Sequence, residues 1–166
     1  MLRKKLTLLI AVLFSALICA FGLAACNQPD TGEKNVTVYI GDKTLEVTTE
    51  QAYLHGLLKE LYADGRISAY VYSGDENSAF ASQVDAVVQG VNGPYISVWH
   101  SLDEFALKSV YNSQFAEYNP SRSEVIEEDG TRFIAYTHNG VTLYLSGAGL
   151  SQLPLRDGGV YAVFLD

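Results

Sequence analysis

Between Asn35 and Val47 apolar residues return at every second position. Val36, Val38 and Ile40 lead into Gly41-Asp42, and Leu45 and Val47 follow it. Period-two alternation puts each set on one face of a strand, and a Gly-Asp pair suits the two-residue turn between antiparallel strands. The patterned part of the chain thus opens with a β-hairpin. Then the period changes. In "TTEQAYLHGLLKELYADG", Leu54, Leu57, Leu58 and Leu61 fall at i, i+3, i+4 and i+7, the stripe of an amphipathic helix. Thr48 with Gln51 has capping-box spacing, and Gly65 stands where a glycine commonly ends a helix.

Strands return after it. "RISAYVYSGDEN" reads as a strand and a polar turn, "QVDAVVQGVNG" as a strand closing on a Gly-rich turn, and "PYISVWHS" as the next strand. "SLDEFALKSVYN" interrupts them: Ser101 and Glu104 repeat the capping-box spacing, and Leu102, Phe105, Ala106 and Val110 line one side. This predicts a second, short helix. "QFAEYNPSRSEVIEEDG" is polar, holds Pro120 and an acidic cluster, and reads as mostly loop. In the last third, Asn139-Gly140 sits between two alternating runs, a strong hairpin signal, and Asp157-Gly158 marks a turn before a final apolar strand. Hairpin, helix, then more strands is an α+β order: a mixed, largely antiparallel sheet of hairpins with one main helix packed across it. That order suits a β-grasp domain, here spanning residues 36–166.

The residues before this pattern have another character. Arg3, Lys4 and Lys5 precede a run that carries no charge until Asp30. A basic start, an apolar centre and small residues at the end read as a secretory signal over residues 1–25. Leu23-Ala24-Ala25-Cys26 resembles the lipobox of bacterial lipoproteins, in which the cysteine receives a diacylglyceryl group and becomes the new N-terminus. Two acyl chains anchor a protein stably where one does not. Residues 26–35, with Pro29 and Gly32, then form a tether, and the expected location is the extracytoplasmic face of a cell membrane. Loss of the three leader cations takes the formal charge from −8 to −11. Such a surface disfavours nucleic acid, where Lys and Arg on phosphate dominate affinity.

Little in the domain points to catalysis. Cys19 lies in the leader, so no cysteine remains for a disulfide or a nucleophile. His55 falls on the flank of the leucine stripe, a surface or half-buried position. His100 and His138 precede a helix cap and a turn, and no pair has metal-ligand spacing. Ser146 in "LYLSGAGL" sits in a turn rather than in a G-x-S-x-G elbow. Glu124, Glu127, Glu128 and Asp129 lack the alternation of a calcium loop. The expectation is no enzyme and no metal. Eleven tyrosines and one tryptophan offer rings with a polar tip, suited to ligand platforms. Tyr95 and Trp99 stand at even spacing on one strand, and Tyr136 and Tyr144 lie almost symmetrically about Asn139-Gly140. These four are the candidate ligand-binding residues.

"VTVYIGDKTLEV", the leucine-rich helix, "QGVNGPYISVW" and "LPLRDGGVYAVFL" together resemble the transcobalamin-like C-terminal domain family, over most of Val36 to Leu165. The resemblance implies a β-grasp domain on a bacterial surface protein or lipoprotein. In the vitamin-carrier relatives it implies a domain covering one side of a bound cobalamin, with a helical barrel on the other. This chain shows no barrel pattern, and Gly158-Gly159 stands where the family usually has Gly-Asp. The functional expectation is a membrane-anchored lipoprotein that binds without catalysis. Its ligand would be a small molecule, a cobalamin or another planar cofactor included. The alternative is a protein-interaction module of a surface complex.

Overall fold

The computed structural model describes residues 29–109 and 124–166. The leader, Cys26 and the start of the tether lie outside these residues, as do Val110 and Pro120. The chain is α+β. The opening hairpin forms as expected, β1 (Lys34–Ile40) against β2 (Lys43–Thr49) in unbroken register. Helix α1 (Leu54–Ala63) follows, and its four stripe leucines are all fully buried. Gly65, at φ +68°, takes the left-handed position after Asp64 that ends it.

The capping box does not form. Thr48 belongs to β2, where its hydroxyl donates to Asn35 Oδ1 at 2.9 Å. The first helical N–H groups instead reach across the molecule, Leu54 to the Leu153 carbonyl and His55 to the Leu150 carbonyl, both at 3.0 Å. A tertiary contact satisfies donors that local side chains usually cap.

Next come β3 (Tyr70–Ser73), β4 (Phe80–Val84) and β5 (Val87–Val88), an antiparallel sheet of their own. β6 (Ile96–His100) enters the main sheet. The second helix reduces to one 3-10 turn, Asp103–Phe105, after which β7 (Lys108–Ser109) pairs with β9. The Ser101 hydroxyl accepts the Val160 N–H and Leu107 N–H donates to the Leu145 carbonyl, so sheet partners claim the groups a helix would need. The acidic stretch read as loop is β8 (Glu124–Glu128), joined at Asp129-Gly130 to β9 (Thr131–His138). An edge strand exposed along most of its length tolerates those charges. β10 (Val141–Leu145) and β11 (Val160–Leu165) complete the set.

The main sheet runs β2-β1-β11-β6-β10-β9, with β7 continuing the β10 flank of β9 and β8 on the other flank. Among the described strands of this sheet only β1 and β11 pair in parallel, and the other pairs are antiparallel. Val36, Val38 and Ile40 share one face with Tyr161 and Val163, against α1 and the loop leucines Leu150, Leu153 and Leu155. The opposite face carries Tyr39, Trp99, Tyr136, Leu143, Ala162 and Phe164.

Candidate functional site

Strand β6 is unequally partnered. Along β11 it pairs from Leu165 opposite Ile96 to Tyr161 opposite His100, and Tyr95 and Asp166 exchange both backbone bonds at 2.9 Å. Along β10 it pairs only at its far end, His100 with Tyr144 and Trp99 with Leu145. Ser146 N–H then donates to the Val98 carbonyl, and the chain turns away. Bonds alternate sides along an antiparallel strand. Tyr95 bonds toward β11, so the N–H and C=O of Ile96 point the other way, where no strand among the described residues pairs with them.

A groove of about 470 Å³ opens at that edge. One side is formed by Ile96, Ser97 and Val98, the other by Ala79 to Ser82 at the start of β4. Alternate side chains of a strand point to opposite faces, so consecutive residues lining one hollow mean that it meets the strand edge-on. Leu107, Leu145 and the turn from Ser146 close one end. The Ser146 hydroxyl donates to Ala148 O at 2.7 Å and accepts Ala148 N–H, and a Cβ on Gly147 would stand 3.2 Å from Leu107 Cα. That glycine permits the close approach. The lining carries hydroxyls, the Gln89 amide and apolar groups, and no ionisable side chain. Phe80, 70% exposed, stands at the rim.

The four tyrosine and tryptophan candidates do not meet here. Tyr95 is 55% exposed beside the groove's strand, whereas Trp99 is wholly buried on the opposite face from Ile96 and Val98. The Trp99 indole donates to Ser97 Oγ at 2.8 Å and stands edge-on to Tyr136, centroids 4.9 Å apart. The Ser97 hydroxyl in turn donates to the Asp166 carboxylate. Tyr136 pairs with Leu143 and Tyr144 with Ala135, so these two rings lie on opposite faces of the sheet. A one-residue offset is enough to reverse a side chain's face.

A second constellation escaped sequence reasoning. His55 is buried, not half-exposed, because β3 lays Tyr70 and Tyr72 over its flank of the helix. Its Nδ1 is 2.7 Å from the Tyr70 hydroxyl and its Nε2 is 3.4 Å from Glu76 Oε2, while Glu76 Oε1 holds Lys59 Nζ at 2.6 Å. Burial lowers the His55 pKa, and Glu76 offsets part of that. The Tyr70 hydroxyl is pushed far up by burial, which keeps it protonated. Hollows of about 450 and 140 Å³ flank this group and share Tyr53, Glu76 and Ser151. The Ser151 hydroxyl already accepts the Ala79 N–H at 3.1 Å. The relay ties helix, turn and sheet together and presents no activated nucleophile.

His100 is also buried. Its Nδ1 accepts the Leu102 N–H at 3.2 Å, which leaves the proton on Nε2, a nitrogen without a hydrogen-bond partner among the described residues. Burial lowers its pKa to about 4, against smaller opposing contributions from nearby backbone groups. His138 packs edge-on to Tyr39 at 4.4 Å. Among the described residues no three His, Cys, Asp or Glu side chains converge as metal ligands. A further hollow of about 480 Å³ lies between the β1–β2 turn and the Asp85 turn. Its Lys43 and Asp85 are already joined at 3.0 Å, and Asp85 also accepts from Ser68. The β4–β6 groove is therefore the hollow whose free chemistry is backbone and apolar surface. No protein family, no curated protein and no solved structure matches this chain.

Proposed function

We propose that this chain is a lipid-anchored, extracytoplasmic binding protein of the β-grasp type, and that the β4–β6 groove holds an uncharged ligand without transforming it. The carrying observation is the groove itself: two strand edges, small hydroxyls and apolar walls, and no ionisable lining residue. Its volume falls within the usual range for ligand sites of ~300–1,000 Å³. Titratable groups around it are engaged with other residues: His55, Glu76 and Lys59 with one another, and the Asp166 carboxylate with the Ser97 hydroxyl and the Trp99 indole. The fold reading draws support from the parallel pairing of β1 with the last strand beside a helix that follows the first hairpin. The anchoring reading draws support from the basic, apolar and small-residue order that ends at Cys26.

Two experiments test it. Thermal-shift measurements on the detergent-solubilised protein would compare cobalamins, haem and flavins with uncharged small molecules. A ligand of the folded state at 100 times its Kd adds ~2.7 kcal/mol. The expected result is a shift that Phe80→Asp or Leu107→Asp abolishes. A shift with cobalamin that ignores both variants would move the site elsewhere, and a flat screen would favour a protein partner. Detergent phase partition answers the anchor: wild type enters the detergent phase and Cys26→Ala does not.

A further inference from the structure

We infer that the groove's ligand is a short peptide in extended conformation, which adds a strand segment to the open edge of β6. This rests on the reading of the groove as the binding site. Among the described residues the edge supplies an unclaimed pair, the N–H and C=O of Ile96, at the point where the column occupied by β10 ends at Ser146. A segment placed there continues that column, about 4.8 Å from β6. Its own N–H and C=O groups then meet Ile96 as a neighbouring strand would, the mode of recognition in which main-chain bonds give affinity and alternate side chains give selectivity.

Charge narrows the occupant. The chain carries a formal charge of −8, yet the groove contains no ionisable side chain. An anionic ligand would meet a repulsive surface, and a cation would lose water without gaining a counter-ion inside. A peptide backbone is neutral yet rich in donors and acceptors, and matches what the edge offers. Small or apolar side chains suit the walls made by Phe80, Ala81, Leu107 and Leu145. At ~3.4 Å per residue, the three β6 residues at the groove correspond to a segment of about three or four residues. Nothing in this mode requires the peptide to be cut or modified.

The test is an NMR titration of the full chain in detergent micelles. The probe is Ac-Ala-Val-Ala-Val-NH2, compared with the same peptide N-methylated at alternate residues. The expected result is movement of the Ile96, Val98 and Phe80 amide signals with the first peptide, and binding about tenfold weaker with the second, since the peptide N–H bond to the Ile96 carbonyl is lost. Ile96→Pro removes the groove-facing N–H while leaving no β11 bond unmade, and should weaken the unmethylated peptide by a similar factor. Equal binding of both peptides, or no response to either, overturns the inference. If neither peptide acts but an uncharged small molecule moves the same signals, the groove stands as a binding site and only its peptide occupant falls. If neither acts on these signals, both readings fall.

Discussion

The two halves of β6 are built from the same kind of residues and have different fates. At its C-terminal half, Trp99 and His100 are sealed by β11 on one side and β10 on the other, and neither is exposed. At its N-terminal half, Ile96 keeps β11 but loses β10, and Tyr95 just before the strand stands out in solvent. Composition does not separate the two ends, since Tyr95 precedes Ile96 much as Trp99 follows Val98. The neighbouring strand does. Where β10 continues, side chains become core; where it stops, the same strand becomes the wall of a groove.

Breaking the sealed half should cost most. Trp99→Ala removes a fully buried indole and should destabilise the fold by about 4 kcal/mol in urea titrations. The next effect is a pH dependence at the neighbouring residue. His100 titrates near 4 in the folded chain and near 6.5 when unfolded, so above ~6.5 both states are neutral and it has no effect. As pH falls through that window the unfolded state takes up the proton first. Stability drops by up to about 3 kcal/mol by pH 4 and falls no further below it on this account. His100→Asn, which keeps an acceptor for Leu102 N–H, should flatten that part of the stability–pH curve relative to wild type. At the open half the effects shrink. Ile96→Ala, at a partly buried position, should cost about 1 kcal/mol. Tyr95→Ala and Phe80→Ala should each stay within about 0.5 kcal/mol. Phe80→Ala should still weaken binding at the proposed groove, read by the same thermal shift. A Tyr95 variant as damaging as Trp99→Ala would dissolve the contrast.

Much of this fold is legible from spacing alone. The hairpins at Gly41-Asp42 and Asn139-Gly140 and the leucine stripe of α1 follow local periodicity, and they form where the pattern places them. The errors arise where a distant strand outbids a local preference. Leu102, Phe105 and Ala106 have helical spacing, but extended pairing beside Leu145 and Ser146 takes Ala106 and Leu107. Glu124 to Glu128 looks like a solvated loop and pairs as an edge strand. The groove was harder still. Its defining feature is a backbone edge left open, and side-chain patterns report faces, not edges. Tyr95 and Trp99 stand beside and on β6, but Trp99 turns to the face away from Ile96 and Val98. Burial of His55 likewise depends on Tyr70 and Tyr72, which no spacing within the helix reveals.

One modest contact near the start of the domain bears on how the protein stands in its surroundings. Asp30 accepts from Arg156 Nη1 and from the Asp157 N–H, each at 2.9 Å, and Lys34 Nζ donates to the carbonyls of Asp30 and Gly32. The tether is thereby pinned to the turn before β11. Were the chain anchored at Cys26 as proposed, the slack counted from Asn27 to Asn35 would end at Asp30 rather than run its full ~30 Å. Strand β11 rises from this pinned pole, and Ile96 pairs with Leu165 at its far end, five residues or ~17 Å further on. The pinned segment and the open edge at Ile96 therefore lie at opposite ends of β11. In a chain anchored as proposed, that separation would hold the groove away from the anchored end.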